Sequence, residues 1–397
     1  MLRCLWVSRD LPFPLDAGDK IYSANLARSL ANAGAYLRFA GFPSAADPPA
    51  DWPIEWLAVR GEKRHKVSAL LSTRPIQASQ HATRAYRLLI EHQLDEPWDA
   101  IVFDSYGSGW ALRPYLTCLA RRREGHRGPL LVYVSHNHEE SVWHSMVTQA
   151  QGSPLKRLTL WQNYMKARAL ERELTSRVGL ITAITDEDSR EYSVQAPRKP
   201  LLTLTPGYSG WSAPARIITN ATPRRVVIVG SFKWLPKQEN LRRFVRHADP
   251  IFALHGIGLD VIGEVPSALR KELEQDARAI RFHGYVEHVQ EHFAAARMAI
   301  VPELIGGGFK LKFLDYMFGR VPVAALADAL KGLPHAVRPH VLIRDDLPAL
   351  TSAIVRVLDD LPALNFMQHA AFVAAEGEFQ WSERGQRLHA AIARASA

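Results

Sequence analysis

Cysteine is nearly absent. Only Cys4 and Cys118 occur in 397 residues, and neither stands in a Cys-x-x-Cys pair. Two thiols make no disulfide framework, so the usage suits a reducing compartment. Long apolar runs are lacking as well. No stretch reaches the roughly 18 apolar residues of a spanning helix. The opening MLRCLWVSRD has too short an apolar run for a signal peptide. These absences lead us to expect a cytoplasmic protein, the inner face of a membrane being the alternative. Low-complexity segments and short-period repeats are absent. Acid is the scarcer charge, with 40 Asp and Glu against 49 Lys and Arg, a net charge of +9 and a pI near 9.6. Such a balance favours a phosphorylated substrate, a lipid surface or nucleic acid. No nucleic-acid recognition motif accompanies the charge, so no nucleic-acid partner is expected.

What is present is material for a core: 47% apolar residues, 22% charged residues and ten tryptophans. The length exceeds one ordinary core and predicts two domains. Short apolar runs recur at 2–8, 36–42, 100–103, 130–135, 178–185 and 201–206, then at 224–231, 259–264, 280–285, 298–303 and 321–326. Helical patterns lie between them, as in IYSANLARSLANAG, where Ala24, Ala27, Leu30 and Ala31 share a face and Gly34 ends it. Strand–helix alternation of this kind predicts parallel sheets covered on both faces. It occurs twice, either side of a Gly-, Ser-, Pro- and Thr-rich join. The expected fold class is α/β, with two doubly wound, Rossmann-like domains facing each other across a cleft. The first covers 1–210, a linker 211–223, and the second 224–379. Ligands of such sheets bind at the carboxyl ends of strands.

Four such edges carry chemistry. In PELIGGGFKLKFLDYM, Gly306, Gly307 and Gly308 follow a strand and let backbone amides approach a ligand. Lys310 and Lys312 add point charges suited to phosphate, a helix from about Leu311 to Phe318 turns its positive end to the same place, and Asp315 is placed to accept from sugar hydroxyls. A plain tight turn with solvated lysines is the alternative. In VVIVGSFKWLPKQEN a strand ends at Gly230, and a loop holds Lys233 and Lys237 before a helix. In SRDLPFPLDAGDK, Gly18 opens a helix after a Pro-rich loop and would admit a phosphate or sugar to its N-terminus, or is only a βα turn. In YVSHNHEE, His136, Asn137, His138 and Glu139 follow a strand. A metal site, a polar loop, and a sugar-binding or catalytic loop are all open readings, although no further cluster has ligand spacing. Asp104 in FDSYGSG would meet an acceptor hydroxyl.

The order of these stretches, with VIGE and FHGYVEH between them and FQWSERGQRL near the end, resembles the GT-B glycosyltransferases of family 4, also called group 1. The sub-pattern is GGG-x-x-LK-x-LE-x-M, read here as Gly306, Gly307 and Gly308, then Leu311-Lys312, Leu314-Asp315 and Met317. PKQEN resembles the P-x-x-N that follows the domain-opening glycine. The resemblance covers nearly the whole chain. It implies a closing helix, about 380–397, that returns to the first domain. It also implies a retaining transferase that uses a nucleotide-diphosphate sugar and needs no metal or other cofactor.

Carried over residue by residue, the resemblance puts His136 at the transferred sugar and Lys312 and Lys233 at the diphosphate. Gly18, Gly230, Gly306, Gly307, Gly308 and Lys310 would line the donor, Asp315 the ribose, and Tyr285 and Val286 the base. Asp104 and Asn137 fall on the acceptor side. Three positions depart from the pattern: Gly307 stands where many members have a first glutamate, Asp315 replaces glutamate, and Arg320 stands where glycine is common. Retained Lys312, Asp315 and His136 favour an enzyme that moves sugar to a glycan or lipid-linked acceptor, in bacterial-type surface polysaccharide or glycoconjugate synthesis. A non-catalytic sugar-nucleotide-binding scaffold and a sugar-nucleotide epimerase are the alternatives. Basic stretches at 119–128 and 154–177 fit peripheral docking on an anionic membrane, or a solvated helix partnered by Glu171 and Glu173.

Overall fold

The computed structural model describes residues 1–65, 68–69, 72–121, 128–148, 153–305 and 307–396. The chain divides into two compact units, one formed by Met1–Gly207 with Gln380–Ala397 and the other by Tyr208–Phe379.

The first unit is a seven-stranded parallel sheet. Its strands are β1 (Arg3–Asp10), β2 (Tyr36–Phe42), β3 (Glu55–Ala58), β4 (Ala100–Asp104), β5 (Leu130–Val134), β6 (Leu180–Ala183) and β7 (Leu201–Thr203), in the spatial order β3-β2-β1-β4-β5-β6-β7. The second unit is a six-stranded parallel sheet, β10-β9-β8-β11-β12-β13. Here β8 is Arg225–Val229, β9 Gly258–Ile262, β10 Ile280–Gly284, β11 Met298–Val301, β12 Val323–Leu326 and β13 Leu342–Arg344. Inner strands such as β4, β6, β11 and β12 are buried at every residue, which is why they read as unbroken apolar runs.

Two strands escape the apolar-run reading, and both lie at sheet edges. β3 is EWLA with exposed ends, and β13 is only three residues, LIR, each half-buried. An edge strand has one neighbour and needs no long apolar run.

Both sheets reverse their winding once, between β1 and β4 in the first unit and between β8 and β11 in the second. The carboxyl ends flanking such a reversal are the crevice where doubly wound folds bind ligands.

The helix Trp381–Ser396 belongs to the first unit and packs on the helix Gly18–Asn32. A Cβ on Gly385 would lie 2.1 Å from the Ser29 carbonyl oxygen, so glycine is what permits this approach. The stretch 211–223, expected as a linker, is tied to the second unit. The Ala213 amide donates to the Phe318 carbonyl at 2.8 Å, and the Asn365 side chain both accepts from and donates to the Ile218 backbone at 2.9 Å. Arg320 adopts φ 51°, the left-handed well that explains glycine at this point in the resembling family. Its guanidinium lies 3.7 Å over the Phe372 ring and donates to the Ala213 carbonyl, contacts that offset the strain.

Candidate active site

In the second unit the reversal point gathers the basic residues. Gly230 follows β8, while Pro302 and Glu303 follow β11 and lead into the glycine loop. Asn240, on the helix Leu235–Leu254, is buried and fixes the entry to that loop. Its Oδ1 accepts from the Leu304 and Ile305 amides at 3.1 and 3.0 Å, and its Nδ2 donates to the Ile305 carbonyl at 2.7 Å. The asparagine of PKQEN is thus a clamp on the loop. Gly308 takes φ 64°, and Gly306 lies outside the described residues.

The helix after the loop is short, Lys312–Phe318, and begins one residue later than expected. Seven residues make a weak dipole, so positive charge rests on side chains. Lys312 Nζ would lie 3.7 Å from a Cβ on Gly230, which places the ammonium at the reversal point. It also lies 2.5 Å from Glu303 Oε1. Lys310 folds back on its own loop and donates to the Gly307 and Gly308 carbonyls at 2.8 and 3.0 Å. Lys233 pairs with Glu264 on the loop after β9. All three site lysines are therefore held by protein acceptors.

Asp315 lies beside Tyr208, whose ring stacks on Phe318 at 4.4 Å. Burial raises the Asp315 carboxyl to about 6, against the opposing pull of Tyr208 and Lys312. Next to Gly230 is a cavity of about 380 Å³ lined by Lys233, Gly263, Glu264, Arg270, Phe282 and Gly284, among others. Glycine shapes it: a Cβ on Gly263, at φ 112°, would lie 1.9 Å from the Gly230 carbonyl oxygen. The Arg270 guanidinium lies 5.9 Å over the Phe282 ring. Tyr285, expected at the base, is 73% exposed beyond this cavity, and Val286 is half-buried.

In the first unit, Asp104 ends β4 and is 1% exposed. Its Oδ1 lies 2.7 Å from His136 Nε2, and its Oδ2 is buried without a hydrogen-bond partner. Burial raises the Asp104 carboxyl, but His136, helped by Ser23 and Trp6, holds it below the usual range. Ser23 Oγ is 3.4 Å from the same ring nitrogen, and the Tyr22 ring meets His136 edge-on at 5.4 Å. Asp104, expected at an acceptor hydroxyl, is paired with His136 in this structure. Gly18 opens its helix with no side-chain cap, and Asp19 beside it pairs with Arg9 at 2.7 Å.

Asn137, also expected on the acceptor side, turns its amide to Glu139 at 3.2 Å. His138 points elsewhere, to Ser141 at 2.7 Å and Gln195 at 2.8 Å. The two histidines of His-x-His therefore do not converge. Among the described residues no group of three His, Cys, Asp or Glu could hold a metal.

Several residues here carry no motif. Glu171 is fully buried and accepts from the Glu139 and Glu140 amides at 3.1 and 2.9 Å and from the Tyr192 hydroxyl at 2.6 Å. It is not a partner for surface lysines, and Glu173 pairs with Arg113 at 2.9 Å. Glu139, also buried, is pushed up to about 8 by burial and then by Glu171. Glu303 and Glu264 stand next to motif residues, so their position along the chain was a signal. Glu171, Tyr208 and Arg270 gave none.

The two units have the fold of the GT-B class. The chain superposes on sucrose-phosphate synthase from Thermosynechococcus elongatus with TM-score 0.70 at 16% identity, covering 99% of both chains. WaaG, a glycosyltransferase involved in lipopolysaccharide biosynthesis, gives 0.67 at 18% identity over 98% of this chain and 99% of WaaG. HepE of Anabaena, solved with UDP and glucose, gives 0.65 at 14% identity over 99% and 100%. Within the second unit, residues 223–360 match the family model described as glycosyl transferases group 1. No curated protein matches the chain in sequence.

Proposed function

We propose that the chain transfers a hexose-type sugar from a nucleoside-diphosphate sugar to a glycan or lipid-linked acceptor, with retention and without a metal ion. The observation that carries this reading is the second unit's reversal point. There Lys312 lies beside Gly230, Lys310 folds onto the glycine loop and Lys233 lines a cavity of about 380 Å³, and this concentration of cations supports a diphosphate with its base in the cavity. Breaking the sugar–phosphate bond sends its electron pair to the diphosphate. Preorganised cations and amides stabilise that growing charge. In a front-face reaction the acceptor oxygen forms the new bond, and its proton passes to a phosphate oxygen, so no strong protein base is required. His136, oriented by Asp104, serves the transferred sugar.

The structures in this fold class with UDP, UDP-glucose or α-GlcNAc-glycerol bound support this donor and acceptor chemistry, and the part of WaaG in lipopolysaccharide biosynthesis supports surface-polysaccharide synthesis. The test is incubation with UDP-, GDP- and ADP-sugars, with and without EDTA, following diphosphate release and the anomeric configuration of the product. Absence of release with every donor would sink transfer. An inverted product, or activity lost in EDTA and restored by Mn²⁺, would sink the retaining, metal-free form.

The partner at the surface is an anionic membrane. On the helix Pro154–Arg177, Leu155 (73% exposed), Leu158 (59%), Trp161 (50%) and Met165 point outward, and Lys156, Arg157, Lys166 and Arg168 accompany them with no acid before Glu171. Apolar anchors, a tryptophan and basic flanks suit the lipid interface. The other basic stretch, 119–128, falls largely on 122–127, outside the described residues. No described helix is long and apolar enough to cross a membrane. Sedimentation with phosphatidylglycerol vesicles should lose the protein from the supernatant, and Leu158→Glu with Trp161→Glu should keep it there.

A further inference from the structure

We propose that Glu303 is a counter-anion built into the diphosphate site, which limits how tightly Lys312 holds a nucleoside diphosphate. This rests on the reading of Lys312 as a diphosphate ligand. Glu303 directly follows Pro302 at the end of β11 and is 6% exposed. Its Oε1 lies 2.5 Å from Lys312 Nζ, and its Oε2 is buried without a hydrogen-bond partner. The Lys312 side chain is itself only 10% exposed. The ammonium thus lies against a carboxylate oxygen and near the Gly230 backbone.

Anchoring alone does not explain a charge at this place. Lys310, two residues away, is anchored by two backbone carbonyls. A carboxylate left half-satisfied in the interior costs stability, so a neutral acceptor or an apolar residue would serve packing better. What only a charge does is oppose a second anion. A phosphate reaching Lys312 comes within a few ångströms of Glu303, with little water between to screen the repulsion. At that separation, two like charges in a partly buried site repel by more than a tenfold change in affinity is worth. Holding donor and product diphosphate equally tightly lowers KM without raising the rate and slows product release. Glu303 weakens that shared hold while keeping the ammonium in place.

The sign of one measurement decides it. Calorimetry with UDP, ADP and GDP in turn would be run on the full chain, as wild type, Glu303→Gln and Glu303→Asp. Glu303→Gln should bind the accepted diphosphate about tenfold tighter and be inhibited by it correspondingly more strongly. Glu303→Asp, which keeps the charge, should stay near wild type. Glu303→Leu, also neutral, reads the same sign if the glutamine variant does not fold. Equal or weaker binding by the neutral variants would show that Glu303 only anchors Lys312 and would overturn the inference. If the wild type binds none of the three, it is the nucleotide-sugar reading that fails instead.

Discussion

His136 and Asp104, 32 residues apart in the chain, meet at 2.7 Å where β4 and the loop after β5 end. A buried carboxylate only accepts, so His136 Nε2 carries the proton and Nδ1 is left as the other polar atom of the ring. The pair belongs to the first unit, whereas the lysines belong to the second. Asp104→Asn keeps the shape but removes the charge that fixes this ring. Turnover should fall by about 10–100-fold, the usual effect of losing an orienting partner. His136→Ala should fall at least as far. Calorimetry should find the nucleoside diphosphate affinity of both variants near wild type. Loss of nucleotide binding in either would put the nucleotide, not the sugar, at His136.

Lys312→Ala should lower turnover by ~10²-fold or more, the scale for removing one preorganised donor to a developing charge. An unchanged kcat/KM in a folded variant would remove Lys312 from the reaction.

Asp315 supplies a pH test. With its carboxyl raised to about 6, it is ionised at pH 7.5 and largely protonated at pH 5. A hydrogen bond to a charged acceptor is worth about 1.5–3 kcal/mol, so Asp315→Ala should bind nucleoside diphosphate about tenfold or more weakly at pH 7.5. Because phosphate titrates nearby, the ratio of wild type to variant is the readout. That ratio should shrink as pH falls through about 6, as the charged bond becomes a neutral one. A constant ratio would mean that Asp315 does not hold the ribose as a carboxylate.

Glu139 gives a stability test with a defined sign. Its folded pKa, about 8, lies above the ordinary 4.5, so the native state keeps a proton that the unfolded chain releases. That contribution is fully present below about 4.5 and is lost as pH rises toward about 8. Glu139→Gln is neutral throughout and should be the more stable form at pH 8 and above, by on the order of 2 kcal/mol. Thermal unfolding at pH 5 and pH 8.5 checks this. A gain that is equal at both values would trace to packing rather than to the proton.

Ser105, next to Asp104, sits at φ 64° and ψ 163°, a region that glycine occupies almost alone. Its hydroxyl is also buried without a partner. Ser105→Gly relieves both and should stabilise the first unit by about 1 kcal/mol, after the entropy cost of glycine. A lower unfolding temperature would show that the hydroxyl has an ordered partner.

Much of this was legible because burial on two faces writes strands as apolar runs, and the runs at 100–103 and 298–303 led directly to Asp104 and the glycine loop. The edge strands β3 and β13 were not, since an edge makes no such demand. Motif spacing located Lys312, but not what stands opposite it. Glu303 reads in sequence as one more acid after a proline, and its meaning comes from the fold turning two neighbouring segments inward. Glu171 was misread for the same reason. On a basic helix it looks like a surface partner, while the 3.6-residue repeat carries it to the buried face beneath the loop after β5.

The close approach of Gly385 to Ser29 bears on how the protein is made. The helix that fills this seat is synthesised only after the whole of Tyr208–Phe379. Until then the face of the helix Gly18–Asn32 that carries Tyr22 and Ser29 lacks its cover. The usual vectorial order, amino-terminal domain first, is thereby inverted: the inserted unit is whole on the ribosome before the unit that began first. A chaperone acting on the nascent chain would meet that helix face uncovered throughout the interval.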